Sequence, residues 1–317
     1  MLSFRVLLAE LRRTAPEIYP HPRFKEKLNR LKYIFRGLWF ARDTTALMVL
    51  LSDPRLAALC KAYPRLVSKL QWPFITSRHT TPQKVAALRA HYGFFTQHLS
   101  PSIQETISSG KSWPLLDLNL DSSERLGVVL RQANYEKEGE LAVSLLSLTT
   151  QEMMCTATFT LVECTPTVRE IVIGGLQGHD FEDDKARIVG ITRGLKGLRP
   201  KALLLFALRQ IALEWSCTSL LAVGNTLHIY TSARKRKDLA ADYDAFWLES
   251  GGTLNAEGFF NLPITPPVRD IAELKANKRS TYRQRYALLD DLACRIRSAA
   301  AGHAPETISA QRTDGAQ

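Results

Sequence analysis

Apolar residues recur at three- and four-residue spacing through the first third of the chain. Lys25–Phe40, Ala46–Ser52 and Lys84–Leu99 carry this period, which gathers their apolar side chains on one helical face. Pro16, Pro20, Pro22, Pro54, Pro64, Pro73 and Pro82 punctuate the region, so residues 1 to about 112 read as a series of helices. The pattern changes after Trp113-Pro114. Leu115–Leu120, Leu126–Gln132, Leu141–Leu148, Met154–Val162 and Glu170–Leu176 have strand character, and turn signals such as Glu138-Gly139 separate them. Gaps this short predict antiparallel hairpins.

Helix and strand then alternate. A helix is expected from Pro200 to about Trp215, with proline suited to a first turn where an N–H would be unpaired anyway. It is apolar nearly all round, with a narrow polar strip at Arg209, Gln210 and Glu214, and so is buried on most sides. Ser219–Val223 reads as a short buried strand ended by Gly224-Asn225. Asp238–Ser250 reads as a helix stopped by Gly251-Gly252, and Gly258–Leu262 as a final strand. A stiff linker, Asn261 to Pro267, leads to a long helix from about Arg269 to Ala299 and a polar tail expected to be disordered. The whole predicts an α/β (α+β) fold: a helical region over residues 1–114, a core over 115–300 and a tail over 301–317.

Composition narrows the function classes. With 45% apolar and 23% charged residues among 317, a full core is expected. A net charge of +11 favours anionic partners, whether lipid, phosphorylated ligand or nucleic acid. Basic residues are dense in the first 42 positions, either as a solvated helix face or as a surface for anionic lipid or nucleic acid. No nucleic-acid-binding signature accompanies the charge, which makes nucleic acid the least favoured partner. The five cysteines, Cys60, Cys155, Cys164, Cys217 and Cys294, are scattered without metal spacing. They read as buried thiols in a reducing compartment, with no metal site. Neither a signal peptide nor an apolar run near the ~20 residues of a membrane span is recognisable, so a cytoplasmic protein is expected.

One stretch has the makings of an anion seat. Thr192 to Lys201 places Arg193, Gly194, Lys196, Gly197 and Arg199 directly before the Pro200 helix and Lys201 in its first turn. Unpaired amides and the positive dipole end meet there, and the cations add charge-assisted bonds to phosphate. His228, three residues after Asn225 and past a strand end, has the chemistry of a general base. Asn225 would orient it, donate to an oxyanion, or close the turn. Asp242 and Glu249 share a helical face, either solvated or receiving a cationic substrate. On the last helix Lys278, Arg279 and Arg283 interleave with Tyr282 and Tyr286, suiting either an anion grip or a basic outer face.

The order of hairpins, Gly-rich basic loop, buried helix, strand and a helix ending in Phe246-Trp247 before Gly251-Gly252 resembles the GCN5-related N-acetyltransferases over about residues 120 to 262. The resemblance implies that the loop binds the acyl-CoA pyrophosphate and that the next strand splays from its neighbour to admit the pantetheine. It also implies that Tyr243 protonates the departing thiolate. From Arg193 the loop is one residue too long before Gly197, and about 20 residues separate Leu176 from it.

A second resemblance spans nearly the whole chain. Gly175-Leu-Gln-Gly178, Gly197-Leu-Arg-Pro-Lys201, Asn225-x-x-His228, Asp242-Tyr-Asp-x-Phe-Trp247 and Lys278-Arg-Ser-x-Tyr-Arg-x-Arg-Tyr286 are similar to the VirK/YbjX family of Gram-negative bacteria. It implies an association with virulence, antimicrobial-peptide resistance and the envelope, and it supplies no catalytic residue. Taken together, the expected activity is acyl transfer from acyl-CoA or acyl carrier protein to an amine or hydroxyl. In that activity Gln177 and Trp247 are expected to join Asp242 and Glu249 in lining the substrate. The alternative is a non-catalytic protein that holds anionic lipid or a partner at the inner membrane face.

Overall fold

The computed structural model describes residues 3–120, 124–165, 167–178, 185–230, 242–267, 270–271 and 276–303. The first helices are α1 (Phe4–Ile18), α2 (Phe24–Trp39), α3 (Ala41–Leu51), α4 (Ala57–Ala62), α5 (Thr81–Gln97) and α6 (Pro101–Ser108). Two 3-10 turns, Pro54–Leu56 and Pro64–Gln71, lie among them. The sequence places the helix starts where polar caps and prolines stand. Ser3 caps α1, Thr80 and Gln83 form a reciprocal capping box on α5, and Ser100 with Pro101 opens α6. Pro16 does not end α1, which runs on to Ile18. The Asp53-Pro54 and Tyr63-Pro64 steps instead start 3-10 turns.

Leu7, Leu11, Ala15 and Ile18 of α1 pack against Tyr33 of α2 as a small separate cluster. Gly37 allows this approach, since a Cβ there would lie 2.5 Å from a Leu11 methyl. From α3 onward, helices and sheet share one continuous core.

The sheet has eight strands in the order β1-β2-β3-β4-β5-β6-β8-β7. They are β1 (Trp113–Asn119), β2 (Arg125–Gln132), β3 (Leu141–Ser147), β4 (Met153–Cys164), β5 (Arg169–Gly178), β6 (Ser219–Val223), β7 (Thr253–Leu254) and β8 (Phe259–Leu262). The first five form the expected antiparallel meander. The crossover from β5 passes through α7 (Lys185–Gly194) and α8 (Pro200–Glu214), and β6 then lies parallel to β5. α9 (Tyr243–Glu249) precedes β7, and α10 (Ala276–Ala300) closes the chain's described part. The interior of β3 is buried on both faces, as its nearly unbroken apolar run requires.

α5 lies against β4, α8 against β3, β4 and β5, and α10 against α8 and β1. Two indoles fasten the end of α10: Trp113 Nε1 donates to the Ala299 carbonyl at 2.9 Å and Trp215 Nε1 to that of Ala300 at 3.2 Å.

Several expectations are corrected. Arg209 and Gln210 are not a solvent strip but are buried. Arg209 donates to the carbonyls of Pro263 (2.9 Å) and Ser250 (2.8 Å), tying α8 to the turns around β7 and β8. Burial lowers its pKa to about 10. Cys155 and Cys217 are buried thiols, whereas Cys60 is half-buried and Cys294 exposed, on the outer side of α10. The Asp238 helix is described only from Tyr243 and the Arg269 helix only from Ala276. The basic run Arg234 to Lys237 and residues 304–317 lie outside the described residues. Among the described residues no helix is long and apolar enough to cross a membrane.

Candidate functional site: a buried carboxylate where two parallel strands part

β5 and β6 pair over four positions only, from Glu170 with Ser219 to Ile173 with Ala222. β5 runs on to Gly178 without β6 beside it. The parting coincides with a bulge. Across the β4–β5 ladder Phe159 faces Ile173 and Thr158 faces Gly175, so Gly174 is the extra residue. A bulge bends its strand and increases local twist, which turns β5 away from its parallel neighbour.

The connection between β2 and β3 fills the space beside this bend. A Cβ on Gly174 would collide with the Glu138 carbonyl oxygen, and one on Gly175 with the Glu138 carboxylate. Paired glycines are therefore what admits Glu138 to the sheet. Glu138 has no exposed surface. Its Oε1 accepts from Gln177 Nε2 at 2.7 Å and lies 3.3 Å from His228 Nε2, at ion-pair distance without hydrogen-bond alignment. Its Oε2 has no hydrogen-bond partner among the described residues. The hydroxyl of Thr158, whose side chain shares that face as the cross-strand neighbour of Gly175, is buried and unpartnered as well.

His228 is also wholly buried. The Tyr230 amide donates to its Nδ1 at 3.4 Å, which in the neutral ring leaves the proton on Nε2, toward Glu138. Tyr243 stacks on the imidazole with centroids 5.0 Å apart, and its hydroxyl accepts from the Leu176 amide at 3.3 Å. Burial first, then the charge of Glu138, pushes the Tyr243 phenol well above its ordinary pKa. The phenol stays protonated at neutral pH and can serve only as a hydrogen donor beyond that accepted bond.

A second buried acid sits two residues on. Glu140 lies 2.7 Å from Lys69 Nζ and accepts from the Tyr92 hydroxyl. Lys69 also donates to the Glu136 carbonyl. The segment after Trp72 holds both ends of the site. The Ile75 amide donates to Lys137 O at 2.8 Å and the Ser77 amide to Leu227 O at 2.8 Å. Ile75, fully buried, has φ of 63°, an uncommon conformation for a β-branched residue and the sort of strain that collects at functional sites.

The expected residues divide between this cluster and other duties. His228, Tyr243 and Gln177 meet around Glu138. Asn225 does not orient His228; it clamps α9. Its Oδ1 accepts from the Tyr243 amide (3.0 Å), its Nδ2 donates to Asp242 (2.9 Å), and its own amide donates to Asp244 Oδ1 (2.7 Å). Asp242 is the N-cap of α9, and the hydrogen bonds from Asn225 and Ala245 hold its carboxyl below the usual range. Trp247 is in the core, with Nε1 donating to Val223 O at 3.0 Å.

The basic loop is also differently built. Arg193 and Gly194 belong to the last turn of α7, and Gly194 packs against Leu120. The Lys196 amide donates to Arg193 O and the Gly197 amide to Thr192 O, with φ of 52° and 88°. This is a helix-terminating Schellman turn, so those amides are spent on α7. What remains at the head of α8 is the amides of Arg199, Lys201 and Ala202, which have no partner among the described residues. Lys201 lies alongside the end of β5, where a Cβ on Gly178 would stand 3.2 Å from its Cε. Arg199 and Glu249, both exposed, face each other at 3.6 Å. Arg279 and Arg283 are exposed on α10, and the Lys278 side chain lies outside the described residues.

Glu138, Glu140, Lys69 and Tyr92 were missed. The signal was present: two acids flank Gly139 immediately before an apolar strand buried on both sides, an odd place for a solvent turn.

Fold and cluster together define a mixed α/β protein with a helical front and an internal Glu–His–Tyr group at the parting of its parallel strand pair. The chain belongs to the family described as a protein of unknown function, DUF535, whose model matches residues 22–298. It is 32% identical over 266 residues to the uncharacterized protein YbjX of Escherichia coli (strain K12), covering 82% of this chain and 80% of that one. Two uncharacterized proteins of Haemophilus influenzae match shorter stretches. One is 32% identical over 123 residues (39% of this chain, 41% of the relative) and the other 26% over 127 (40% and 43%).

Proposed function

We propose that this protein transfers an acyl group from a thioester, acyl-CoA or acyl carrier protein, to an amine or hydroxyl at the parting of β5 and β6. The observation that carries the reading is the fully buried Oε2 of Glu138 at that parting, which has no hydrogen-bond partner among the described residues. An orphaned buried carboxylate oxygen costs about 1–3 kcal/mol or more, which a fold tolerates where the group has work to do.

In this reading Glu138 takes the proton of the nucleophile. His228 and Gln177 act as positioning residues on its other oxygen. Tyr243 gives its proton to the departing thiolate, and the proton held by Glu138 restores the phenol, so that each turnover leaves both groups as they began. The new C–N or C–O bond replaces the C–S bond. This differs from the expectation that His228 is itself the base, because both its ring nitrogens face protein groups. The donor's anionic part suits the head of α8, where Lys201 and three amides without partners among the described residues stand next to the end of β5. Since Glu138 and His228 have no exposed surface, a substrate must displace part of their cover before reaching them.

The test pairs calorimetry with transfer assays, using CoA thioesters from acetyl to long-chain and acyl carrier protein. Glu138→Gln keeps the shape and should lower transfer by about 10²-fold or more, with donor binding retained. Silence from every donor length and from the carrier protein would remove the reading.

A further inference from the structure

α2 has two apolar sides, and among the described residues only one of them is packed inside the protein. Tyr33 and Gly37 are buried against α1. The opposite side carries Phe24, Leu28, Leu31, Phe35 and Trp39, which are 83%, 42%, 64%, 64% and 73% exposed. At 100° per residue these five fall within an arc of about 80°. They form one continuous row along the helix, and the Phe35 and Trp39 rings stand 5.9 Å apart. Folded proteins rarely leave a contiguous row of large apolar side chains in water.

The borders of the row say what fits it. On the same wheel Lys25, Lys32 and Arg36 line one edge and Lys27 the other, and all four are exposed. Residues 1–42 hold ten lysines and arginines against three acids. Among those acids, Glu10 and Glu17 are engaged by Arg13. Aromatic and leucine side chains bordered by cations match the interfacial zone of an anionic bilayer, where rings enter the headgroup boundary and lysines reach back to phosphate. Two copies meeting through this face would bring like charges together, so charge complementarity disfavours a second copy.

We infer that α2 is a membrane-surface helix that seats this protein on anionic lipid through Phe24, Leu28, Leu31, Phe35 and Trp39. The inference stands independently of acyl transfer, and its residues are distant in function from Glu138, so the failure of either leaves the other to be judged on its own assay.

Flotation of the full chain with vesicles of phosphatidylcholine alone, or of phosphatidylcholine with phosphatidylglycerol, tests it. The protein should rise only with phosphatidylglycerol present, and less so as salt is raised. Leu31→Glu with Phe35→Glu should weaken binding at least about tenfold. Both positions are exposed, and circular dichroism and the unfolding midpoint verify the fold; should that pair not fold, Leu31→Gln alone is read on the same vesicles. Wild-type protein that stays down with anionic vesicles would overturn the inference, as would a folded variant that floats like wild type. A wild-type dimer made monomeric by the pair, without vesicle binding, would assign the face to self-association instead.

Discussion

Glu138 and His91 are buried ionisable residues with different consequences. Glu138 depends on having no side chain at Gly175, so Gly175→Ala forces the carboxylate away from the bulge. Overpacking of this kind should destabilise by about 1–3 kcal/mol, measured as a shift in the urea midpoint, and it should abolish whatever Glu138 does. His91, on α5, is pushed down to about 3 by burial and by the charge of Lys69, and its Nδ1 accepts from the Leu161 amide. The unfolded chain takes up a proton near pH ~6.5 that the folded chain refuses until about 3. His91 therefore costs no stability above that upper pH. As pH falls through the window, folding loses up to about 1.4 kcal/mol per unit. His91→Gln keeps an acceptor and removes this slope. Chemical unfolding of both proteins at several pH values should show the stability gap narrowing, or reversing, toward acid.

At the scale of elements, short polar side chains set the boundaries. α9 begins where Asp242 and Asn225 hold its first turn. Asp242→Ala should cost about 1 kcal/mol through the lost cap, with Asn225→Ala non-additive to it in a double-mutant cycle. Most strands and helices were readable because the hydrophobic period survives in the final structure. β6 was placed at Ser219–Val223, and α8 at Pro200. Helix α7 was not, because its last residues, Arg193 and Gly194, read as the start of the basic loop before Pro200. The cations and glycines of 193–197 looked like a phosphate cradle, yet a helix end and a phosphate loop ask for the same residues, glycine in the left-handed region followed by basic side chains. Only the hydrogen bonds of Lys196 and Gly197 distinguish the two.

Across the whole molecule, α10 closes a core that extends from α3 through the sheet. Trp113 and Trp215 bond to the last two alanines of that helix, and Leu292 and Ile296 are fully buried. A chain truncated before Leu289 should lose those contacts. The expected outcome is a lower thermal midpoint and red-shifted tryptophan emission, with the anionic-vesicle binding of α2 retained if that face acts alone.

The one-dimensional order of residues determined the helical front, the meander and the crossover through α8, since each rests on local period, caps and turns, and it determined the family through motifs spread along the chain. The meeting of Glu138, His228, Gln177 and Tyr243 was decided only in three dimensions. These residues come from four separate elements, and their contact depends on a bulge at Gly174 and on strand pairing that stops at Ile173, neither of which leaves a periodic trace in the chain.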